Sequence, residues 1–297
     1  PGMWTWTLHS NRPDDRGLNG HTGSFVAEAW SQTEILKNPN RRGFVRPTAN
    51  GRALEYADGM PFFFIGDTFW AASTWRYPLT GRPAQANWKP GPDELTFENV
   101  VQFRKRQGFN SIALIAAFPN WHSDEFPAQH TDPDGTGVRQ AWEDFGTNTA
   151  KPMHDEAGNI PFKMSNEPPV ADYRRINPEY FQSLDRKMAY LSENGFVPVL
   201  ETIRRDHGPS MKKRFKWPDV LARYIDYVAA RYGAWNLIFS PIHLDWIPPV
   251  HSLSAAEFNE AIKVWHAETG GLPFGQPVTV LIDRATHTTF GGHLDVV

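Results

Sequence analysis

Hydrophobic residues from position 58 onward alternate between two patterns. Short apolar runs bounded by turn residues are typical of buried strands, and apolar positions recurring every three or four residues are typical of helices that cover a sheet. This alternation predicts an α/β fold, the (β/α)8 TIM barrel, in which the loops after the strands build the active site. The runs predict strands over 61–66, 109–117, 196–201, 235–240 and 277–283, and the periodic segments predict helices over 93–107, 178–194, 218–232 and 254–269.

The ends of the predicted helices carry specific signals. Gly108 and Gly195 each follow a helical segment, and Ser254 with Glu257 forms the pattern of a capping box. A doubly wound sheet would show the same periodicity, but no glycine-rich phosphate turn follows the first strand, which favours the barrel. A sixth strand begins no earlier than 294–297, so the barrel is predicted to be incomplete at its C-terminal side.

Residues 1–50 show a different pattern. Short extended stretches over 3–8, 24–27 and 43–46 are spaced by turn residues, which is typical of a β-sandwich. Three strands cannot close a sandwich by themselves. We therefore expect the end of an N-terminal β-sandwich domain over 1–50, followed by a barrel domain over 51–297.

Composition excludes several classes of protein. The net charge is −3 and the pI is near 6.4, which gives no basic surface for a nucleic-acid partner. No apolar run approaches the roughly 20 residues of a membrane-spanning helix. The chain has no cysteine, which excludes disulfides, thiolate zinc sites and thiol nucleophiles. No phosphate-binding or metal-binding motif is present, so neither a cofactor nor a metal is expected.

Aromatic residues are the informative excess. Twelve tryptophans occur, many beside proline, glycine, aspartate or histidine. Aromatic faces in polar loops suit sugar rings, which indicates a carbohydrate partner. The segment 118–176 is rich in proline, glycine and polar residues without periodicity, and such long loops are usually functional. We expect substrate contacts there.

One stretch is specific enough to suggest a family. Residues 56–70, YADGMPFFFIGDTFW, resemble the opening strand of the apiosidase-like glycoside hydrolases, which carries Gly-x-Pro-Phe-Phe followed by Gly-Asp-Thr-x-Trp. The residues around Trp4, Phe25 and Phe44 are similar to the end of the small β-sandwich that often precedes this barrel. Agreement continues at 106–112, 176–185 and 194–199, so that the resemblance covers about 52–297.

The resemblance implies a retaining hydrolase of plant or algal polysaccharides that is secreted or periplasmic. It places an acid/base carboxylate after strand four and a nucleophilic carboxylate after strand seven, which is not in this sequence. Asp245 follows the predicted fourth strand, and the adjacent Trp246 would raise its pKa by desolvation. The chain has Pro-Ile-His-Leu-Asp where the family usually has a Gly-Gly-Asp or Gly-Glu ending. Glu201, at the end of the predicted third strand, is the second catalytic candidate.

The remaining candidates are expected to bind substrate. Asp67 is expected to point into the barrel mouth, with turn capping as its alternative role. Arg204 follows the third strand, where it either binds an acidic sugar or joins a local salt network. A metal site of His122, Asp124 and His154 matches no known spacing pattern. The full set of predicted substrate-binding residues is Asp67, Trp70, Trp121, His122, Arg204, His207, His243, Trp246 and His287.

Two other functions stay open on the sequence. A non-catalytic glycan-binding member of the same fold would explain the altered strand-four ending. A polysaccharide lyase would use Arg204, Arg205, His207 and tyrosines to neutralise a uronate and move its α-proton. The sequence leaves the oligomeric state undetermined.

Overall fold

The computed structural model describes residues 1–80, 96–117, 154–164, 171–244 and 253–282. The chain forms two compact units, Pro1–Arg41 and Arg42–Val297. The predicted domain boundary at residue 50 lies later than this division.

The first unit is a β-hairpin followed by a short helix. Strand β1 (Gly2–Thr7) and strand β2 (Thr22–Ala27) fall on the extended stretches predicted at 3–8 and 24–27, and they pair antiparallel with each other. Helix α1 (Gln32–Lys37) begins at Ser31, whose side chain and Glu34 form a reciprocal capping box. The sequence analysis did not predict this helix, although its Ser-x-x-Glu signal is present. The hairpin alone leaves the β-sandwich a prediction.

The second unit is an α/β domain, and its class is confirmed. Its elements in chain order are β3 (Val45–Pro47), β4 (Leu54–Tyr56), β5 (Pro61–Phe62), β6 (Gly66–Thr68), α2 (Phe97–Arg106), β7 (Ser111–Ala117), β8 (Phe162–Met164), β9 (Ala171–Ile176), α3 (Pro178–Glu193), β10 (Val199–Ile203), α4 (Gly208–Arg214), α5 (Asp219–Tyr232), β11 (Ile238–Ser240), β12 (His243–Leu244), α6 (Ala255–Thr269) and β13 (Leu281–Ile282). Short 3₁₀ segments cover Pro39–Arg42, which spans the division between the units, and Trp70–Ser73 and Arg205–His207.

A parallel sheet forms the centre of this unit, in the strand order β6-β7-β10-β11. Strands β12 and β13 pair with each other in parallel. A bridge at Arg204–His243 joins the end of β10 to β12, and a bridge at Phe239–Val278 joins β11 to the residues before β13. Parallel strands joined through helices are the arrangement that the sequence predicted. Closure into eight strands stays a prediction.

The predicted first strand, 61–66, is divided in the structure. Pro61–Phe62 pairs antiparallel with β4, and only Gly66–Thr68 enters the parallel sheet. The Asn110 side chain explains the break, because it donates to the carbonyl of Phe63 and accepts from the backbone N–H of Ile65. These groups are satisfied by a side chain and not by a neighbouring strand.

Strand β3 belongs to the second unit and not to an N-terminal domain. It pairs with β4, and the N–H of Val45 donates to Asn236 at 2.8 Å. Val45 packs with Phe62 and Ile238 in a small apolar cluster. The strand predicted at 43–46 is therefore present, but it pairs with β4, which follows it in the sequence, and not with the strands that precede it.

The four predicted helices are present: α3, α5 and α6 agree with their expected bounds within one residue, whereas α2 begins at Phe97, four residues later than predicted. Gly108 and Gly195 adopt left-handed φ angles of 86° and 81° where α2 and α3 end, which glycine adopts without strain. Ser254 and Glu257 form the expected capping box at the start of α6. Helix α4 and the hairpin of β8 with β9 were not predicted. The hairpin lies in the segment 118–176, which was expected to be a loop.

The sheet has two faces with different partners. Residues in register on neighbouring parallel strands point to the same face, and successive residues alternate. Leu114, Leu200 and Phe239 lie on the face that packs against the helices. Glu201, in register with Ile115 and Ser240, lies on the opposite face. No helix among the described residues is long and apolar enough to cross a membrane.

Candidate functional site

Ionisable and aromatic side chains gather where the parallel strands end. Trp70 follows β6, Glu201 lies within β10, and His243 begins β12. Strand β10 runs to Ile203, so Glu201 is central in the strand and not at its end as expected. The carboxyl ends of parallel strands meet at one edge of the sheet, and in a TIM barrel that edge carries the active site.

A buried carboxylate–imidazole pair is the centre of the site. Glu201 is 1% exposed and His243 is fully buried. Nδ1 of His243 donates a hydrogen bond to Oε2 of Glu201. A carboxylate can only accept, so the contact holds the proton on Nδ1 and leaves Nε2 as an acceptor in the neutral ring. The sequence named both residues but did not predict that they touch.

Trp70 packs against this pair. Its ring lies 5.2 Å from the His243 ring, centroid to centroid, at an interplanar angle of 68°. Trp70 is half-buried and opens the 3₁₀ segment Trp70–Ser73. A partly exposed indole beside an ionisable pair is suited to stack on a sugar ring.

A second buried pair lies near the end of β10. The hydroxyl of Tyr173 is 3.3 Å from Nδ1 of His207, and their rings meet edge to face at 5.9 Å. Tyr173 is 1% exposed and His207 is fully buried. His207 was predicted to bind substrate, but Tyr173 was missed because it falls in the aperiodic segment. The strand β9, Ala171–Ile176, contains Tyr173, and recognising this strand in the sequence would have been the way to find the residue.

The two arginines after β10 have different surroundings. Arg204 is 3% exposed, and its backbone bridges that of His243. Nη2 of Arg205 donates to the carbonyl of Leu253 at 3.0 Å. The backbone of Arg204 therefore lies next to that of His243, and its substrate-binding role stays a prediction.

Asp67 does not point where the sequence analysis expected. Its Oδ2 accepts from Nε and Nη2 of Arg104 on α2, at 2.7 and 2.6 Å. Asp67 is in register with Ile112, which packs in the core between the sheet and the helices. The carboxylate therefore faces the helix layer, because the strand register places Thr68 and not Asp67 on the inner face.

Several predicted site residues lie outside the described residues. These are Asp245, Trp246, Trp121, His122 and His287. Asp245 comes two residues after His243 in the chain, and its catalytic role stays a prediction. Among the described residues, no three histidine or acidic side chains are close enough to hold a metal ion.

A further buried charge was missed entirely. Lys187 is fully buried on α3, with Leu184, Met188 and Leu191 on the same helix face. A lysine surrounded by apolar residues at spacings of −3, +1 and +4 was the available signal. Burial lowers the pKa of Lys187 to about 8, partly offset by Glu156 and Asp155.

Solved structures show the same fold. A candidate glycoside hydrolase from Bacteroides vulgatus is similar with a TM-score of 0.56 and 17% identity, over 94% of this chain and 44% of that chain. A family 5 glycoside hydrolase from the same organism is similar with a TM-score of 0.53 and 14% identity, over 86% of this chain and 43% of that chain. This chain thus spans less than half the length of either protein.

No curated protein sequence matches this chain. The family model of the apiosidase-like catalytic domain matches residues 48–242, a shorter range than the expected 52–297 at its C-terminal end. The matched range contains the divided first strand, Glu201 and the strands on either side of it. Since the match covers more than half of the sequence, the chain belongs to the apiosidase-like family.

Proposed function

We propose that this chain is a glycoside hydrolase that cleaves plant or algal polysaccharide or oligosaccharide by a retaining, two-carboxylate mechanism. The buried Glu201–His243 pair beside Trp70 carries this proposal, with Glu201 in the middle of β10 and Trp70 shortly after the end of β6. Family membership supports hydrolysis of a glycosidic bond. The plant or algal source of the substrate rests on the sequence resemblance.

Retaining hydrolysis requires an acid that protonates the departing oxygen and a carboxylate that attacks the sugar carbon. The two carboxyl groups lie about 5 to 5.5 Å apart in such enzymes. In this proposal Asp245 is the acid and later the base, and the nucleophile follows strand seven. Substrate stacks on Trp70, and Arg204 binds a hydroxyl or carboxylate of the sugar.

Glu201 acts in this scheme through His243. A buried imidazole that donates to a carboxylate is fixed in orientation, and the negative charge of Glu201 stabilises its protonated form. His243 lies two residues before Asp245, so fixing the ring also fixes the start of the segment that carries the acid. Glu201 is the alternative acid if Asp245 is not required.

The test measures reducing ends released from a panel of plant and algal polysaccharides by the full gene product. Asp245→Asn is expected to lower kcat by about 10²–10⁴-fold, the usual contribution of a general acid. Glu201→Gln is expected to lower kcat by less, because it retains a hydrogen-bond partner for His243. Glu179→Gln, an exposed carboxylate on α3, is the matched control.

Each alternative outcome has a defined meaning. Full activity of Asp245→Asn with loss of activity in Glu201→Gln would transfer the acid role to Glu201. Glycan binding without any release by the wild type would favour the non-catalytic member of the fold and contradict the proposal.

A lyase is the second candidate, and the Tyr173–His207 pair favours it. A tyrosine hydroxyl within 3.3 Å of an imidazole nitrogen can move a proton, and the nearby Arg204 can neutralise a uronate. A lyase product contains a carbon–carbon double bond that absorbs in the near ultraviolet. Because β-elimination also leaves a new reducing end, absorbance that rises in step with reducing-end release would establish the lyase, and reducing ends without absorbance would establish the hydrolase.

We also propose that the protein is secreted or periplasmic, because an enzyme that cleaves plant or algal polysaccharides meets its substrate outside the cytoplasm. Cell fractionation followed by immunodetection tests this. Recovery in the cytoplasmic fraction alone would contradict it.

A further inference from the structure

A buried cation supports the segment that carries Trp70. Nζ of Lys187 donates to the carbonyl of Ala72 at 2.8 Å and lies 3.4 Å from the carbonyl of Thr74. Both carbonyls belong to the end of the 3₁₀ segment Trp70–Ser73 and its cap, where backbone acceptors have no partner within the helix. Lys187 thus supplies a donor to the carbonyl of Ala72 and a second, longer bond to that of Thr74, which also accepts from the N–H of Tyr77 at 3.3 Å.

Three further hydrogen bonds attach residues 70–79 to their surroundings. Oγ of Ser73 donates to the carbonyl of Ile115 on β7 at 2.7 Å. The backbone N–H of Trp75 donates to the carbonyl of His154 at 2.8 Å, and that of Leu79 donates to Glu156 at 2.7 Å. Residues 70–79 are therefore held on three sides, and Lys187 is the only fully buried charge among these attachments.

The charge of Lys187 has a limited set of neighbours. Glu156 lies 3.9 Å away and also binds Arg186 at 2.9 Å. The Phe97 ring lies 5.8 Å from Nζ, within the range of a cation–π contact. Burying an ammonium is costly unless it is well paired, and Leu or Met at this position would pack without that cost. A lysine here indicates that its hydrogen bonds to residues 72 and 74 matter.

We infer that Lys187 is a positioning residue for the substrate site: its ammonium holds the segment 70–74 so that Trp70 packs against His243. This inference rests on the proposed function in so far as Trp70 binds sugar. The path runs from Nζ of Lys187 through the carbonyl of Ala72 to Trp70, and from there to the His243 ring. Lys187 itself touches neither the substrate nor the reacting atoms.

The test uses Lys187→Met, which keeps the length and apolar stem of the side chain and removes the donor. Lys105→Met is the matched control, an exposed lysine on α2 that binds Asn194. Proteins are labelled with 5-fluorotryptophan, and the ¹⁹F resonance of Trp70 is assigned by its loss in Trp70→Phe. This readout does not depend on enzymatic activity.

In Lys187→Met we expect the Trp70 resonance to shift while most of the other eleven tryptophan resonances stay in place. With an active substrate we expect KM to rise about three- to tenfold with kcat within about twofold, because a stacking contact contributes equally to ground state and transition state. Lys105→Met should change neither.

An unmoved Trp70 resonance in folded Lys187→Met would overturn the inference. A fall in kcat at constant KM would also overturn the inference, since it would mean only that a smaller fraction of Lys187→Met is folded and active. If Lys187→Met does not fold, Lys187→Gln retains one donor and is expected to shift the Trp70 resonance less, in the same direction. Absence of turnover by the wild type contradicts the proposed hydrolase but leaves the ¹⁹F result decisive for Lys187.

Discussion

The two ends of the parallel sheet use the same strands for different purposes. On β10, Val199 packs with Ile238 and Phe62 in an apolar cluster, whereas Glu201, two residues on and on the same face, is bound to His243. Alternation by two keeps both side chains on one face, so only the distance along the strand separates packing from chemistry. Under the proposed function, packing and reactivity therefore lie in two layers along the same strands, an apolar layer around Val199 and a reactive layer around Glu201.

The largest expected effect breaks the reactive layer without breaking the fold. In the double variant Glu201→Leu/His243→Leu, turnover should fall by more than about 10²-fold. The free energy of unfolding should stay the same or rise by about 1–4 kcal/mol, because apolar residues replace a buried carboxylate and its imidazole partner, which are costly to remove from water. Activity assays and urea unfolding check both. A double variant that loses several kcal/mol would show that the pair is structural.

A change in the apolar layer around Val199 should lower stability and leave activity unchanged. Phe62→Ala removes a buried ring that contacts Tyr56 edge to face at 5.4 Å. A loss of about 3–5 kcal/mol is expected from the lost burial and the cavity left behind. Activity per folded molecule should be unchanged below the unfolding transition. A changed KM in folded protein would show that the two layers are coupled.

The pH dependence of the unfolding free energy tests the buried charge of Lys187. Burial lowers the pKa of folded Lys187 from 10.5, the value of an exposed lysine, to about 8. The charges of Glu156 and Asp155 oppose this shift, and repulsion from Arg186 adds to it. Between these pH values the unfolded chain binds a proton that the folded chain does not. Stability should therefore rise with pH from about 8 towards 10, by up to about 1.4 kcal/mol per pH unit.

The comparison with Lys187→Met removes contributions from other groups. Burial raises the pKa of Tyr56 to about 12. Its ionisation lowers the unfolding free energy at alkaline pH, and it does so equally in wild type and Lys187→Met. The difference in unfolding free energy between wild type and Lys187→Met should therefore depend on pH through Lys187 alone. A difference that is constant from pH 7.5 to 9.5 would contradict the burial of a titrating ammonium.

The smallest effect concerns Asp67. Asp67→Asn breaks a partly exposed ion pair with Arg104 and should cost about 0.2–1 kcal/mol. If the carboxylate faces the helix layer in solution, KM should not change. A large rise in KM with unchanged stability would restore the substrate-binding role that the sequence suggested.

The helices and most strands could be read from local patterns. Glycines at 108 and 195, and the capping box of Ser254 with Glu257, act on neighbouring residues and are therefore visible in the sequence. The division of the first strand was not visible, because the Asn110 side chain that causes it lies 45 residues away. The helix α1 was visible but overlooked.

Family and broad chemistry were also accessible to the sequence, through the motif around Asp67 and Trp70. The roles of individual side chains were not. Periodicity shows that a residue lies in a strand, but the register between strands decides which face it occupies, and a shift of one residue exchanges the faces. Register turned Asp67 towards Arg104 and placed Glu201 on the inner face.

By itself, then, the sequence determined the α/β class and the order of most strands and helices, since these depend on local spacing and capping, and it indicated the apiosidase-like family through the resemblance of residues 56–70. Only the tertiary structure decided that Glu201 meets His243, that Tyr173 meets His207 and that Lys187 lies beneath the segment of Trp70. These contacts join residues between 34 and 115 positions apart. Hydrophobic burial brings such segments together, and the spacing of residues along the chain does not encode which polar atoms then touch.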